Sequence, residues 1–179
     1  MDRVLDINVG GVVTTVKATQ EAIIQAKGQM VLVSSVFSYL NGAGAAPYAM
    51  SKAAVEQLGR ALRVELALYG ASCAVAYFPI VDTRLTHEAI DANDRGSAIV
   101  DAAPSLVTRR ISAEEAGRAL RSAIEKRRPA LSVALRWHVL KATRGIVMPL
   151  ADRTQSRDPK VLDALRAVDQ PVHRAGPAT

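Results

Sequence analysis

The chain has 179 residues, of which 49% are hydrophobic, a size and apolar content that fit one domain with a real core. No apolar run approaches the ~20 residues a bilayer span requires, and no basic-then-apolar leader opens the chain, so a soluble cytoplasmic protein is expected. Cys73 is the single cysteine, which excludes disulfides within the chain and cysteine-based metal sites. It lies in the apolar run from Ser72 to Phe78, where a small buried hydrophobe is the natural reading. The net charge of +6 is uneven: residues 1–83 hold 6 basic and 6 acidic groups, residues 84–179 hold 17 and 11. Because Arg alternates with Asp and Glu and few aromatics accompany it, that half reads as a solvated surface rather than a nucleic-acid face. An anionic small-molecule ligand stays open.

In chain order, Val9, Val12, Val13, Val16, Ile23 and Ile24 recur at helical spacing, predicting a helix over 2–27 with Gly28 as its stop. The poor helix propensity of Val9-Gly10-Gly11-Val12-Val13 predicts a close neighbour against the two glycines. Met30 to Ser34 is a short apolar run without alternation and reads as a buried strand. Residues 36–47, with Gly42, Gly44 and Pro47, form a loop, and Tyr48 to Tyr69 a long helix closed by Gly70. A second buried strand runs from Ser72 to Phe78 and is stopped by Pro79. Residues 84–111 show no period and read as a mobile segment over a site. Ser112-Ala113-Glu114-Glu115 is a capping box opening a helix to about Arg128, and Ala130 to Leu135 is a third strand. Residues 1–153 make one domain on this reading, and 154–179 a polar, flexible tail with at most a short helix near 160–168. The alternation of helix and strand predicts an α/β fold with a parallel sheet of about three strands.

Chemistry concentrates at Ser34-Ser35 and at Pro47-Tyr48-Ala49-Met50-Ser51-Lys52. On a helix Tyr48 and Lys52 stand one turn apart on one face. A phenol beside an ammonium is a proton donor and acceptor, and a serine at the end of the preceding strand is placed to hold a carbonyl oxygen. A Tyr-x-x-x-Lys pair alone recurs by accident; the serine, an upstream asparagine and the strand-end context make the set specific. Ser34 competes with Ser35 for the serine role, and Asn8 also reads as a helix-interior group making a local bond. His87, His138 and His173 show no metal-like spacing, so no metal site is expected.

Asn8 in Asp6-Ile7-Asn8-Val9-Gly10-Gly11, Ser35 thirteen residues before Tyr48, and Tyr48-Ala49-Met50-Ser51-Lys52 together resemble the motifs of the short-chain dehydrogenase/reductase family. The resemblance runs from residue 2 to about 153 and implies part of a Rossmann-like, doubly wound parallel sheet. It implies NAD(P)-dependent interconversion of a small-molecule alcohol and carbonyl, with Tyr48 as general acid/base and Lys52 lowering its pKa and contacting the nicotinamide ribose. Ser35 would orient the substrate oxygen, and Asn8 would hold a water in a relay through Lys52. Phe78-Pro79-Ile80-Val81-Asp82-Thr83 resembles the segment that touches the nicotinamide, with Val81 and Thr83 as cofactor contacts. Pro79 stands there at a position where the family carries glycine, so the turn must differ. Thr83 reads equally as a helix N-cap.

The family's glycine-rich strand-turn-helix that cradles a pyrophosphate has no counterpart among these 179 residues. A truncated, catalytically inactive fragment, acting at most as an association module, is therefore the competing expectation, with negligible dinucleotide affinity of its own. The resemblance implies a homo-oligomer built through helices 2–27 and 48–69. The selection of NAD or NADP is not encoded in the residues present. The basic, apolar stretch 136–150 reads as a C-terminal helix beside the substrate pocket in preference to a membrane-surface contact.

Overall fold

The structure is a computed structural model and describes residues 2–169. The first helical run, α1 (2–25), consists of Asp2–Leu5, a π turn at Asp6–Gly10 and Gly11–Gln25. In the π turn the Gly11 N–H donates to the Asp6 carbonyl, five residues back, and Asn8 sits inside it. Among the described residues the expected close neighbour of Gly10 and Gly11 is absent: a Cβ at either would meet nothing within 4 Å. Both glycines lie on the exposed side of the wider turn.

Strand β1 (Gln29–Ser35) is followed by a 3-10 turn at Val36–Ser38 and a loop, and then by α2 (Ala46–Ala67). The helix begins two residues earlier than the apolar spacing predicts, because Pro47 occupies its first turn, where a missing N–H costs nothing. The chain leaves α2 through Gly70 at φ +69° and enters β2 (Ser72–Phe78), whose bounds agree with those predicted. Strand β5 (Ala130–Ser132) completes a parallel sheet of order β1-β2-β5, in register Gln29 with Ser72 and Val75 with Ala130.

A second sheet is invisible in the sequence. Strands β3 (Val81–Asp82) and β4 (Ile111–Ser112) pair in parallel, and two residues are too few to show any pattern. Between them, the segment expected to be mobile is built of short helical pieces: α3 over 84–91, α4 (Asp94–Ala102) and α5 (Ser105–Thr108). Asn93 caps α4, its Oδ1 accepting from Arg95 N and Gly96 N. Gly96 lets α4 lie against the preceding turn, since a Cβ there would meet the Ala89 carbonyl oxygen at 2.6 Å.

Ser112 caps α6 (Ala113–Glu125), its hydroxyl accepting from Glu115 N at 3.1 Å as the capping box predicts. The C-terminal part holds α7 (Leu135–Ala142), α8 (Arg144–Gln155) and α9 (Pro159–Asp169). The expected boundary after residue 153 therefore falls inside α8, and α9 packs against α4. Residues 170–179 of the expected tail lie outside the described residues.

Helices cover both faces of the main sheet. On one face Val16, Met30, Leu32, Val55, Leu62, Leu66 and Cys73 form a cluster with α1 and α2. On the other, Ala76, Ala123 and Leu131 pack with Ala119 and Leu120 of α6. Cys73 is 1% exposed and free, as expected of a small core residue, and burial pushes its thiol up to about 11. Among the described residues no helix is long and apolar enough to cross a membrane.

Gly59 sets how closely α2 approaches the sheet: a Cβ built there would meet Val75 Cγ2 at 2.4 Å and Leu32 Cδ1 at 3.4 Å. Replacing Gly59 with Val overpacks this contact. We expect the variant to lose about 1–3 kcal/mol of unfolding free energy in urea denaturation.

Candidate active site

The site is assembled where β1 ends and α2 begins. Adjacent strand residues point oppositely, and the two serines accordingly do different work. The Ser34 hydroxyl, 3% exposed, donates to the Lys52 carbonyl at 2.8 Å and ties strand to helix. Ser35 caps the 3-10 turn: its Oγ accepts from Phe37 N at 3.2 Å and donates to the Phe78 carbonyl at 3.1 Å.

Tyr48 stands in the first turn of α2, and its ring meets Phe37 edge-on at 5.8 Å and 72°. Burial raises the phenol above its ordinary value, and the Ser35 hydroxyl pulls the other way without cancelling it. Lys52 lies one turn along, its Nζ 5.6 Å from the Tyr48 ring centroid and donating to the Val33 carbonyl at 3.2 Å. Burial depresses the ammonium.

Asn8 reaches the site indirectly. Its Nδ2 donates to Ser51 Oγ at 3.0 Å, and Ser51 Oγ donates to the Tyr48 carbonyl at 2.7 Å. Ser51 is fully buried and joins α1 to the first turn of α2. Sequence reasoning missed it, although its place three residues after Tyr48 was the available signal. Val81 lies in β3, and Thr83 caps the start of α3. The Val81 carbonyl accepts from Thr86 Oγ1 at 2.6 Å, and Thr83 Oγ1 accepts from Thr86 N at 3.4 Å. Of the two readings of Thr83, the helix cap is the one its contacts express.

Phe37 also joins the wall of a cavity of about 210 Å³. Leu40, Ile80, Ile99, Val107, Met148 and Leu165 contribute to an apolar lining, with Asn41, Asp152 and Gln155 at one side. Asn41 Nδ2 donates to Asp152 Oδ1 at 2.8 Å and Gln155 Oε1 at 3.0 Å, linking the loop before α2 to α8. Helices α4, α7, α8 and α9 thus border this space, and stretch 136–150 contributes Leu140, Val147 and Met148 to its wall.

A parallel sheet with helices on both faces, with a serine at the end of β1 and a tyrosine and a lysine at the head of the following helix, defines a protein of the Rossmann-like α/β class. Similarity to known proteins narrows this. The model of the short chain dehydrogenase family matches residues 1–94, and the chain belongs to that family. It is 43% identical over 70 residues to an NADPH-dependent 1-acyldihydroxyacetone phosphate reductase of Schizosaccharomyces pombe, over 39% of this chain and 24% of the relative. It is 31% identical over 120 residues to a cyclopentanol dehydrogenase of Comamonas testosteroni, over 66% of this chain and 47% of the relative. The chain thus spans less than half the length of these relatives. In fold it resembles a short chain dehydrogenase of Burkholderia cenocepacia solved in complex with NADP, with TM-score 0.65 and 18% identity. That likeness covers 87% of this chain and 58% of the other.

The segment that walls the cavity is tied to β3 by a charge cluster. His87 bonds Asp91 Oδ2 at 2.6 Å and Asp82 Oδ1 at 2.9 Å, while Arg110 donates to both oxygens of Asp91 and lies 3.6 Å from Asp82. The Arg110 guanidinium first, and His87 second, hold the Asp91 carboxyl at about 2, against an ordinary value of 3.8. A depressed carboxylate stabilises the fold fully above its unfolded value and loses that contribution as pH falls through its folded value. Acid titration followed by amide hydrogen exchange should therefore show residues 84–111 loosening between pH 3.8 and about 2, and Asp91→Asn should remove that step.

Proposed function

We propose that the protein carrying these residues is an oxidoreductase that interconverts an alcohol and a carbonyl, with NAD or NADP as hydride carrier and Tyr48 handling the proton. The observation that carries this reading is Tyr48 and Lys52 one turn apart at the head of α2, with the Tyr48 ring edge-on to Phe37 of the apolar cavity wall. The cavity favours a small, largely apolar substrate with one oxygen to present.

The donor set fits the ribose end of a nicotinamide nucleotide. Lys52 Nζ spends one N–H on Val33, leaving its others for ribose hydroxyls. The pyrophosphate end finds no such fit among the described residues. The positive-φ glycines are Gly42, Gly44 and Gly70, two in the loop entering α2 and one at its exit. The nicotinamide, when bound, supplies or takes the hydride. In reduction, Ser35 Oγ turns from Phe78 to the substrate carbonyl and Tyr48 gives its proton to the same oxygen. An ordinary phenol is protonated at neutral pH, so Tyr48 is suited first to this acid role. In the reverse direction the phenolate takes the hydroxyl proton. Asn8 uses its Nδ2 on Ser51, and its carbonyl oxygen is left to hold a water leading to Lys52. Val81 and Thr83 flank the nicotinamide side in this reading, in exchange for their bonds to Thr86.

A second reading, association through α1 and α2, is favoured by Ile7 of α1, Val64 of α2 and Leu68 just past its end, which are 61%, 76% and 81% exposed. If it holds, light scattering of the 179-residue chain gives a dimer or larger species, and Val64→Lys with Leu68→Lys shifts it to monomer. For the enzyme reading, Tyr48→Phe in the protein bearing these residues should cut NAD(P)H-dependent reduction of apolar ketones about 10²–10⁴-fold, with an unchanged circular dichroism spectrum. A loss below tenfold would remove Tyr48 from the proton step.

A further inference from the structure

The face of the sheet that carries α2 has a second opening, away from Tyr48. Glu56, Arg60 and Arg63 follow one another at helical spacing on α2 and so line one stripe. Opposite them stand His138 and Lys141 of α7 and Arg144 at the head of α8, and Val75, Tyr77 and Ala130 of the sheet form the floor. The enclosed volume is about 390 Å³, within the range of small-molecule sites.

The charges around it do not balance. Glu56, 4% exposed, is the one carboxylate of the lining, and both its oxygens are taken. Ser38 Oγ donates to Oε2 and Arg144 Nη1 to Oε1, each at 2.8 Å. Burial pushes the Glu56 carboxyl up, but these two bonds and the positive charge of Arg144 and Lys141 outweigh it and hold it ionised. Glu56 therefore compensates Arg144. Among the described residues, no carboxylate lies within 4.0 Å of Arg60, Arg63 or Lys141; Arg60 reaches Gln57 Oε1 at 3.4 Å. His138 is occupied, its ring Nε2 donating to the Ser132 carbonyl at 3.1 Å.

Lys141 argues against an ordinary solvated basic face. Its Nζ lies 3.6 Å from the centroid of the buried Tyr77 ring, in the floor of the pocket. Burial first, and then the fields of Arg144, Arg60 and Arg63, push the ammonium below its ordinary value against the pull of Glu56. Cations free to separate in water would avoid this mutual repulsion; here packing against Tyr77 holds one of them beside the others.

We infer that this pocket binds a small molecule bearing a phosphate group, with Arg60, Arg63 and Lys141 as its anion contacts. Three uncompensated cations match a dianion, guanidinium forks suit phosphate oxygens, and the volume leaves room for an organic substituent. A free phosphate ester and a phospholipid headgroup present the same chemistry. Val139 of α7 and Ile146 of α8, 54% and 81% exposed, are nearby apolar groups on those helices.

The test is titration of the 179-residue protein with inorganic phosphate at constant ionic strength set by chloride, read by thermal unfolding and by NMR of the Arg and Lys side chains. A parallel arm uses vesicles of phosphatidylcholine with and without phosphatidic acid. Saturable stabilisation by phosphate is expected, and the pair Arg63→Ala with Lys141→Ala should weaken it at least about tenfold. The charge-matched control, Arg118→Ala with Arg121→Ala on α6 at the other face of the sheet, should leave it intact. Arg63→Lys, which keeps the charge, should retain part of the affinity and guards against misfolding of the Ala pair. Pocket-dependent binding confined to phosphatidic-acid vesicles assigns the headgroup as the source and supports the inference. No saturable response from either source, or equal weakening in pocket and control variants, overturns it.

Discussion

The hydrogen bond from the buried Ser34 hydroxyl to the Lys52 carbonyl fixes where α2 sits along β1. A strand residue and a helix residue eighteen positions apart are locked at 2.8 Å, and everything on the first two turns of α2 takes its position from that lock. Tyr48 then comes to meet Phe37 edge-on, and Lys52 reaches back to Val33. Farther along the helix Gly59 performs the same service sterically, because only a missing side chain lets the helix lie against Val75. The bond costs one buried hydroxyl and one helix carbonyl, which would each be expensive if left unpaired. A slip of α2 by one residue would forfeit the Ser34 and Ser51 bonds together.

How the site handles a proton depends on a competition the fold decides. An ammonium one turn from a phenol invites the expectation that the phenolate is favoured, and in water at such spacing the effect is small. In the folded chain desolvation acts on both groups, raising the phenol and lowering the ammonium. Each is pushed towards its neutral form, and Lys52 turns its Nζ to a backbone carbonyl instead of to the phenol oxygen.

The legible parts of the sequence are those with a repeating physical cause. Apolar runs bounded by Gly28, Gly70 and Pro79 locate β1, β2 and α2 to within two residues, and Ser112 with Glu115 locates the start of α6. Ser35, Tyr48 and Lys52 are legible because strand end and helix start are neighbours in any parallel sheet. The π turn around Asn8 is not, since an i→i−5 bond leaves no trace in side-chain spacing. Nor are β3 and β4, whose pairing joins Val81 to Ile111 across thirty residues. The partner of Asn8 escapes the sequence for a related reason. Its contact, Ser51, is 43 residues away, and only the packing of α1 against α2 selects it over Lys52.

The length of α2 gives the molecule a further property. Side chains along this one helix serve two different regions. Tyr48, Ser51 and Lys52 serve the strand ends, while Glu56, Arg60 and Arg63 face α7 and α8. Glu56 is one turn beyond Lys52, and its bond to Ser38 returns to the 3-10 turn that Ser35 caps and in which Phe37 meets Tyr48. A charge placed on the cations around Glu56 therefore acts on a carboxylate bonded to the same turn. Arg144 both holds Glu56 and opens α8, whose Met148 and Asp152 border the apolar cavity, so one helix supplies different residues to the basic pocket and to the cavity.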